Sequence, residues 1–187
     1  MDNLELRMYF FVPYQLTGIQ QAIQAGHSMG EYILKHGKYN QDHICWTFLE
    51  KWKTWIVLNG GTTNSTTFED EYFKIIPAGS LNKISYDLGQ AEIEFATFNE
   101  PDLNDALTAV CFIVDARVFD CETYPDFQEF MKPRLDKVKF LELFKNGPWT
   151  RELIAQTYPT DVREWITSLG GEKNVFLRDL IKYKKLA

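Results

Sequence analysis

The feature that most constrains the fold is a run of aromatic and β-branched residues at positions 8–12, Met-Tyr-Phe-Phe-Val, which Pro13 ends. A short run of this composition, stopped by proline, predicts a buried strand. Soon afterwards Thr17 and Gln20 have the spacing of a capping box, which predicts that a helix begins at Thr17. A buried strand that leads directly into a long helix indicates an α/β fold.

Later segments continue this alternation of strands and helices. Further predicted strands cover residues 53–58, 92–98 and 107–114. Between the first two of these, Ser80 is predicted to cap a helix that ends near Gly89. From residue 124 onward the pattern is helical. We therefore expect an α/β domain over residues 1–123 and a helical extension over residues 124–187 that packs on it.

The predicted helix over residues 17–36 has an apolar face. Ile19, Ile23, Gly26 and Gly30 recur on it at helical spacing. Glycine weakens a helix unless the position needs a close approach. We therefore expect this face to pack on the sheet.

Polar residues form a second stripe on the same helix. Gln20, Gln24, His27 and Glu31 follow one another at i, i+4, i+7 and i+11. Beginning at a helix N-terminus, these side chains and the free backbone N–H groups could meet an anionic ligand. The alternative is that Gln20 only completes the capping box and His27 is an ordinary surface residue.

Two further segments place polar groups at the ends of predicted strands. Residues 59–64, Asn-Gly-Gly-Thr-Thr-Asn, could direct backbone N–H groups at an anion, or form a simple turn. Residues 99–105 carry acidic and amide groups that could coordinate a cation, or form a polar turn. Because strand ends and helix N-termini often meet at a ligand site, we expect the stripe and both segments to converge on one cleft. The candidate ligand-binding residues are Gln24, His27, Asn59, Gly60, Gly61, Thr62, Asn64, Asp102 and Asn104.

Charge and cysteine content narrow the classes of function. Residues 1–127 carry 8 Lys and Arg against 18 Asp and Glu, and residues 128–187 carry 12 against 8. An acidic body of this kind offers no broad basic face for duplex DNA. The three cysteines have no CxxC spacing, which favours reduced thiols and no metal site. No apolar run is long enough to span a bilayer, so we expect a cytoplasmic protein with no membrane partner. We also expect no metal and no cofactor.

Taken together, these segments resemble the class II peptidyl-tRNA hydrolases. In that family a strand precedes a helix with the signature Lys-x-Ala-Ala-Gln-x-x-His-Ala, and here Gln24 and His27 match the Gln and His of that signature. Residues 98–101, Phe-Asn-Glu-Pro, resemble the family's Asp-Ala-Gly turn, and Thr108 resembles the Thr of its last strand. The resemblance covers residues 7–120 and is nearest to divergent members from tailed phages.

This resemblance implies a mixed sheet of four strands with helices on both faces, and hydrolysis of the ester between a peptide and the 3′ ribose of tRNA. The family's catalytic Lys, Asp and Thr fall on Gln20, Asn99 and Thr108, with Glu100 available as a substitute carboxylate. Gln lacks the positive charge of Lys, and Asn cannot act as a base, so the resemblance implies weakened or lost catalysis.

The expected function is therefore that of a phage protein that binds a nucleotide or a tRNA 3′ end in the host cytoplasm and sequesters it. The alternative is an active peptidyl-tRNA hydrolase, and the sequence leaves a homodimer open.

Overall fold

The structure is a computed structural model that describes residues 4–145 and 149–187. The strands are β1 (Leu6–Pro13), β2 (Thr54–Gly61), β3 (Thr67–Glu69), β4 (Ile75–Pro77), β5 (Ala96–Glu100) and β6 (Ala106–Asp115). The helices are α1 (Gly18–Tyr32), α2 (Ile44–Thr47), α3 (Ser80–Gln90), α4 (Ala116–Phe119), α5 (Phe127–Met131), α6 (Lys137–Phe144), α7 (Arg151–Thr157), α8 (Pro159–Ser168) and α9 (Glu172–Ile181). Single π-helical turns, Ile33–Gly37 and Phe48–Trp52, continue α1 and α2, and a 3-10 turn, Pro101–Leu103, follows β5.

The main sheet has four strands in the order β2-β1-β6-β5. Strand β1 runs parallel to β2 and antiparallel to β6, and β6 runs antiparallel to β5. Strands β3 and β4 form a separate antiparallel pair. The predicted α/β fold with a mixed four-stranded sheet is therefore confirmed.

Helices cover both faces of this sheet. Phe10 packs in one core cluster with Ala25 and Tyr32 of α1. On the other side, a Cβ added at Gly60 would lie 2.7 Å from Cδ1 of Leu81 in α3 and 3.2 Å from Cβ of Phe11. Because neighbouring residues of a strand point to opposite faces, Phe10 marks the α1 face and Phe11 the α3 face. None of the helices within the described ranges is long and apolar enough to cross a membrane.

Helix α1 begins as predicted but packs through a different face. Thr17 is its N-cap, and the capping box with Gln20 is formed. The buried residues of the helix are Gln21, Gln24, Ala25, Ser28 and Tyr32.

The predicted packing face of α1 is wrong. Ile19 and Ile23 are 75% and 49% exposed, and a Cβ added at Gly26 or Gly30 would have no neighbour within 4 Å. The polar residues that are buried instead satisfy their hydrogen bonds. Nε2 of Gln21, for example, donates to the carbonyl of Pro13 at 3.2 Å.

The described residues form two compact units. One runs through Asp115 and includes Ile181–Ala187, and the other is Ala116–Leu180. In the sheet unit the last residues pair with β2, since the Asn59 N–H donates to the carbonyl of Lys185 at 2.9 Å. This pairing covers the outer edge of the sheet, which would otherwise expose unpaired backbone groups.

The helical unit has a core of its own, in which Phe127, Met131 and Trp165 are buried. Beside it, the guanidinium of Arg178 is nearly fully buried and donates to the Asp126 carboxylate at 2.9 Å. The same group also donates to the carbonyls of Arg117 and Tyr124. A buried charge needs such partners to offset its lost hydration.

Candidate functional site

Three residues from separate segments form a hydrogen-bonded chain beneath α1. Nε2 of Gln24 donates to Oε2 of Glu100 at 2.6 Å, and Oγ1 of Thr108 donates to Oε1 of Gln24 at 2.6 Å. Gln24 and Thr108 are buried, whereas Glu100 is half-buried. We call this chain the Gln24 network; it runs from a buried hydroxyl to a carboxylate that reaches solvent.

A bulge in β6 turns Thr108 toward Gln24. Cys111 pairs with Phe10 and shares the core on the α1 face, so strict alternation would point Thr108 to the α3 face. The pairing of β6 with β5 shifts in register, however: Phe98 pairs with Ala109 and Asn99 pairs with Leu107, so Thr108 has no paired residue in β5. A β-bulge re-aims side chains in this way, and bulges are common beside active sites.

His27 lies at the edge of the Gln24 network. Its exposed ring is 4.5 Å from the ring of Phe98, centroid to centroid. Gln20, about two turns earlier in α1, is exposed, and its Oε1 accepts from the backbone N–H and the hydroxyl of Thr17, each at 3.0 Å. Gln20 is therefore engaged in the cap, whereas His27 and Phe98 present an aromatic surface next to Gln24.

Asn99 and Glu100 are the last residues of β5 rather than part of a turn. Nδ2 of Asn99 donates to the carbonyl of Asp105 at 2.7 Å, so this amide shapes the connection to β6. Asn104 follows the 3-10 turn in a left-handed conformation. Asp102 and Asn104 are both exposed and form the rim of the connection.

The segment 59–64 bonds to α3 instead of opening toward a ligand. Asn59, Gly60 and Gly61 belong to the end of β2 rather than to a loop. Within the segment, the Gly61 N–H donates to Oδ1 of Asn59 at 2.8 Å. Two further backbone N–H groups of the segment donate to α3: that of Thr62 to Oγ of Ser80 at 2.8 Å, and that of Asn64 to Oδ1 of Asn82 at 2.7 Å. The hydroxyl of Ser80 is thus used by this loop, and Gly79, not Ser80, is the N-cap of α3. Helix α3 covers the face of the sheet opposite α1. The segment 59–64 therefore contacts the helix on one face of the sheet, whereas the Gln24 network contacts the helix on the other face.

A second polar cluster lies at the other end of β5. Among the described residues, His36, His43 and Glu94 have ligand atoms that lie within 4.8 Å of one another. The buried ring of Tyr32 packs against both imidazoles, at 4.7 and 5.9 Å between centroids. Burial, and then the nearby Glu94 carboxylate, raises the pKa of the Tyr32 phenol. No sequence motif marks this cluster, because its members are 7 and 51 residues apart and lack the spacing of a metal-binding motif.

Comparisons of the chain with protein-family models, with curated proteins and with solved structures find no match. The α/β fold and the contacts of the two polar clusters are therefore the observations that bear on function.

Proposed function

We propose that the protein binds the terminal ribose of a nucleotide or of a tRNA 3′ end at the Glu100 end of the Gln24 network, and that it hydrolyses peptidyl-tRNA weakly or not at all. The observation that carries the proposal is the pair of 2.6 Å hydrogen bonds that join Thr108, Gln24 and Glu100.

The chemistry of Glu100 suits a sugar hydroxyl better than a phosphate. An ionised carboxylate only accepts hydrogen bonds, and it can accept two at once. The 2′- and 3′-hydroxyls at the end of an RNA chain are neighbouring donors that match this geometry. A phosphate placed here would be repelled by Glu100 and by the acidic character of residues 1–127, which carry 18 Asp and Glu against 8 Lys and Arg.

His27 and Phe98 supply a complementary contact for the base. Nucleobases stack on aromatic side chains, and each such contact is worth about 1–3 kcal/mol. An exposed imidazole 4.5 Å from a phenyl ring offers this surface beside Gln24. A site that reads one ribose and one base needs few phosphate contacts, so its affinity should depend little on salt.

The contacts of the predicted catalytic residues favour binding over hydrolysis. Thr108 is 1% exposed, and its hydroxyl donates to an amide oxygen, which cannot take its proton as a base would. Gln20 and Asn99 are neutral amides that bond to Thr17 and to the Asp105 carbonyl. Neither side chain supplies the charge that the corresponding Lys and Asp bring to the family.

The test compares two nucleotides that differ only in their 2′- and 3′-hydroxyls. We expect AMP to bind with measurable affinity by calorimetry, and 2′,3′-dideoxy-AMP to bind at least about tenfold more weakly, because two charge-assisted hydrogen bonds are lost. Glu100→Gln should weaken AMP binding in the same way. Glu31→Gln, which neutralises an exposed carboxylate on the same helix as Gln24, is the matched control. Equal affinity for both nucleotides, or an equal effect of both variants, would contradict the proposal.

Active peptidyl-tRNA hydrolysis is the second candidate, and the half-buried Glu100 carboxylate favours it. Held by Gln24, this group could orient a water molecule toward an ester. Under this alternative a model peptidyl-tRNA is cleaved at a rate comparable with that of an ordinary family member assayed alongside. Glu100→Gln should then abolish cleavage while the variant still folds.

A further inference from the structure

We propose that His36, His43 and Glu94 bind one divalent transition-metal ion, with Zn²⁺ as the reference ion. This site is separate from the Gln24 network: Glu94 precedes β5, whereas Glu100 ends it. Five residues of extended chain between Phe95 and Glu100 correspond to about 17 Å.

The three side chains are already close to a metal-binding geometry. Their ligand atoms lie within 4.8 Å of one another. At Zn–N and Zn–O distances of about 2.0–2.1 Å, two ligand atoms in a tetrahedral site are about 3.4 Å apart, so small side-chain rotations would close the site. The imidazoles of His36 and His43 are stacked 5.7 Å apart with a 15° angle between their planes, and the fully buried Tyr32 supports both.

Backbone contacts orient the ring of His36. Its Nε2 lies 3.1 Å from the carbonyl oxygen of Phe95. In the neutral ring this nitrogen donates its proton to the carbonyl, which leaves the lone pair of Nδ1 free. A carbonyl that accepts from the second ring nitrogen is the usual arrangement behind a metal-binding histidine.

His43 already shares a proton with Glu94 where the ion would sit. Nδ1 of His43 accepts from the Cys45 N–H at 3.2 Å, so the neutral ring carries its proton on Nε2, which lies 3.1 Å from Oε2 of Glu94. An ion that replaces this proton is bound by the imidazole and the carboxylate together. The ring proton then moves to Nδ1, and the Cys45 N–H loses its acceptor.

The ligand set defines the class of ion. Two imidazoles and one carboxylate suit Zn²⁺, Co²⁺ or Ni²⁺, whereas Mg²⁺ and Ca²⁺ require oxygen ligands. Three protein ligands leave a fourth position for water. The positive charge of Lys35 would repel a bound cation. Its exposed ammonium donates to the same Phe95 carbonyl at 3.0 Å, and the side chain can turn into solvent to reduce this repulsion.

The chain supplies its own control for this proposal. It contains three histidines, and the third, His27, packs on Phe98 near the Gln24 network instead. We expect Zn²⁺ titration by calorimetry to give one site per chain in the wild type and in His27→Ala. Each of three variants, His36→Ala, His43→Asn and Glu94→Gln, should bind Zn²⁺ at least about tenfold more weakly. Loss of even an outer-shell contact typically lowers metal affinity by about 10–100-fold, and these side chains are direct ligands. His43→Asn is chosen because Asn is a good N-cap, so it removes the imidazole and keeps an acceptor for the Cys45 N–H.

A second measurement identifies the ligands directly. On addition of Zn²⁺, the ring ¹⁵N resonances of His36 and His43 should shift and those of His27 should not, while Mg²⁺ shifts none of them. The proposal is overturned if the folded wild type shows no stoichiometric Zn²⁺ binding. It is equally overturned if His27→Ala weakens binding as much as the other variants do, or if the three cluster variants leave it unchanged.

Discussion

Replacing Thr108 by Val tests whether the Gln24 network is a coupled unit. Valine keeps the shape of threonine but removes the hydroxyl that donates to Oε1 of Gln24 at 2.6 Å. Gln24 is only 7% exposed, so its oxygen cannot recover a full hydrogen bond from water. Leaving a buried acceptor unpaired costs about 1–3 kcal/mol, which corresponds to a fall in melting temperature of about 2–4 °C per kcal/mol for a chain of this size.

Gln24→Leu should cost less, about 1 kcal/mol. In this variant Thr108 can still donate to the carbonyl of Phe98, 3.3 Å away, and the half-buried Glu100 can be hydrated. In the double variant, both ends of the Thr108–Gln24 bond are apolar and no buried group is left unpaired. The loss in the double variant should therefore be smaller than the sum of the single losses, by about 1 kcal/mol or more.

The assay must report on the sheet unit separately from the helical one. Native-state hydrogen exchange in rising urea, read at the amides of α1 and β6, gives the free energy of opening of the sheet unit alone. Thr108→Ser, which keeps the donor, is the control background. Gln24→Leu should cost the same in the Thr and Ser backgrounds and less in the Val background. An equal cost in all three would show that the network is not coupled and would refute the reasoning.

Three further outcomes are expected. Gly26→Ala should stabilise the protein by about 0.5–1 kcal/mol, because alanine favours a helix and the new methyl group meets nothing within 4 Å. Gly60→Ala should destabilise it, because the new methyl group would lie 2.7 Å from Cδ1 of Leu81. Urea midpoints that shift in the same direction for both variants would contradict this. A thiol reagent at pH 8 should modify the native protein rapidly at Cys121 only, because Cys121 is exposed whereas Cys45 and Cys111 are buried. Burial also raises the pKa of Cys111 to about 12, which keeps that thiol protonated. Rapid modification of two thiols per chain would contradict this prediction. Arg178→Met should destabilise the helical unit by about 3 kcal/mol, because it removes the hydrogen bonds from the buried guanidinium to the Asp126 carboxylate and to the Arg117 carbonyl. A loss below about 1 kcal/mol in hydrogen exchange of that unit would count against this.

The central strands and the start of α1 could be predicted because local sequence determines them. The run over residues 8–12 lies within β1, the predicted strand over residues 107–114 lies within β6, and Thr17 is the N-cap of α1. Each signal is carried by composition or spacing within a few residues. The start of β5 was predicted four residues too early, because residues 92–95 alternate in polarity without pairing in the sheet.

The Gln24 network could be predicted only in part. The polar stripe of α1 indicated Gln24, the polar segment 99–105 contained Glu100, and the family resemblance pointed to Thr108. Their mutual contacts, however, depend on the bulge at Thr108, which strict alternation along β6 does not predict. The cluster of His36, His43 and Glu94 could not be predicted, since Glu94 lies 51 residues after His43 and only the fold brings it to the two histidines.

The buried face of α1 shows why a polar residue in a packing position is informative. Gln21 and Gln24 are both buried on the sheet side of the helix, where hydrophobic patterning predicts apolar residues. Gln21 has a structural explanation, because its amide donates to the Pro13 carbonyl at the end of β1. Gln24 does not serve the backbone in this way: its described bonds go to two side chains, 76 and 84 residues away, and one of them is a carboxylate that reaches solvent. A leucine at this position would avoid the burial of an amide, and local rules of this kind are most often broken at functional sites. The break at Gln24, rather than the one at Gln21, therefore marks the position where binding should be tested first.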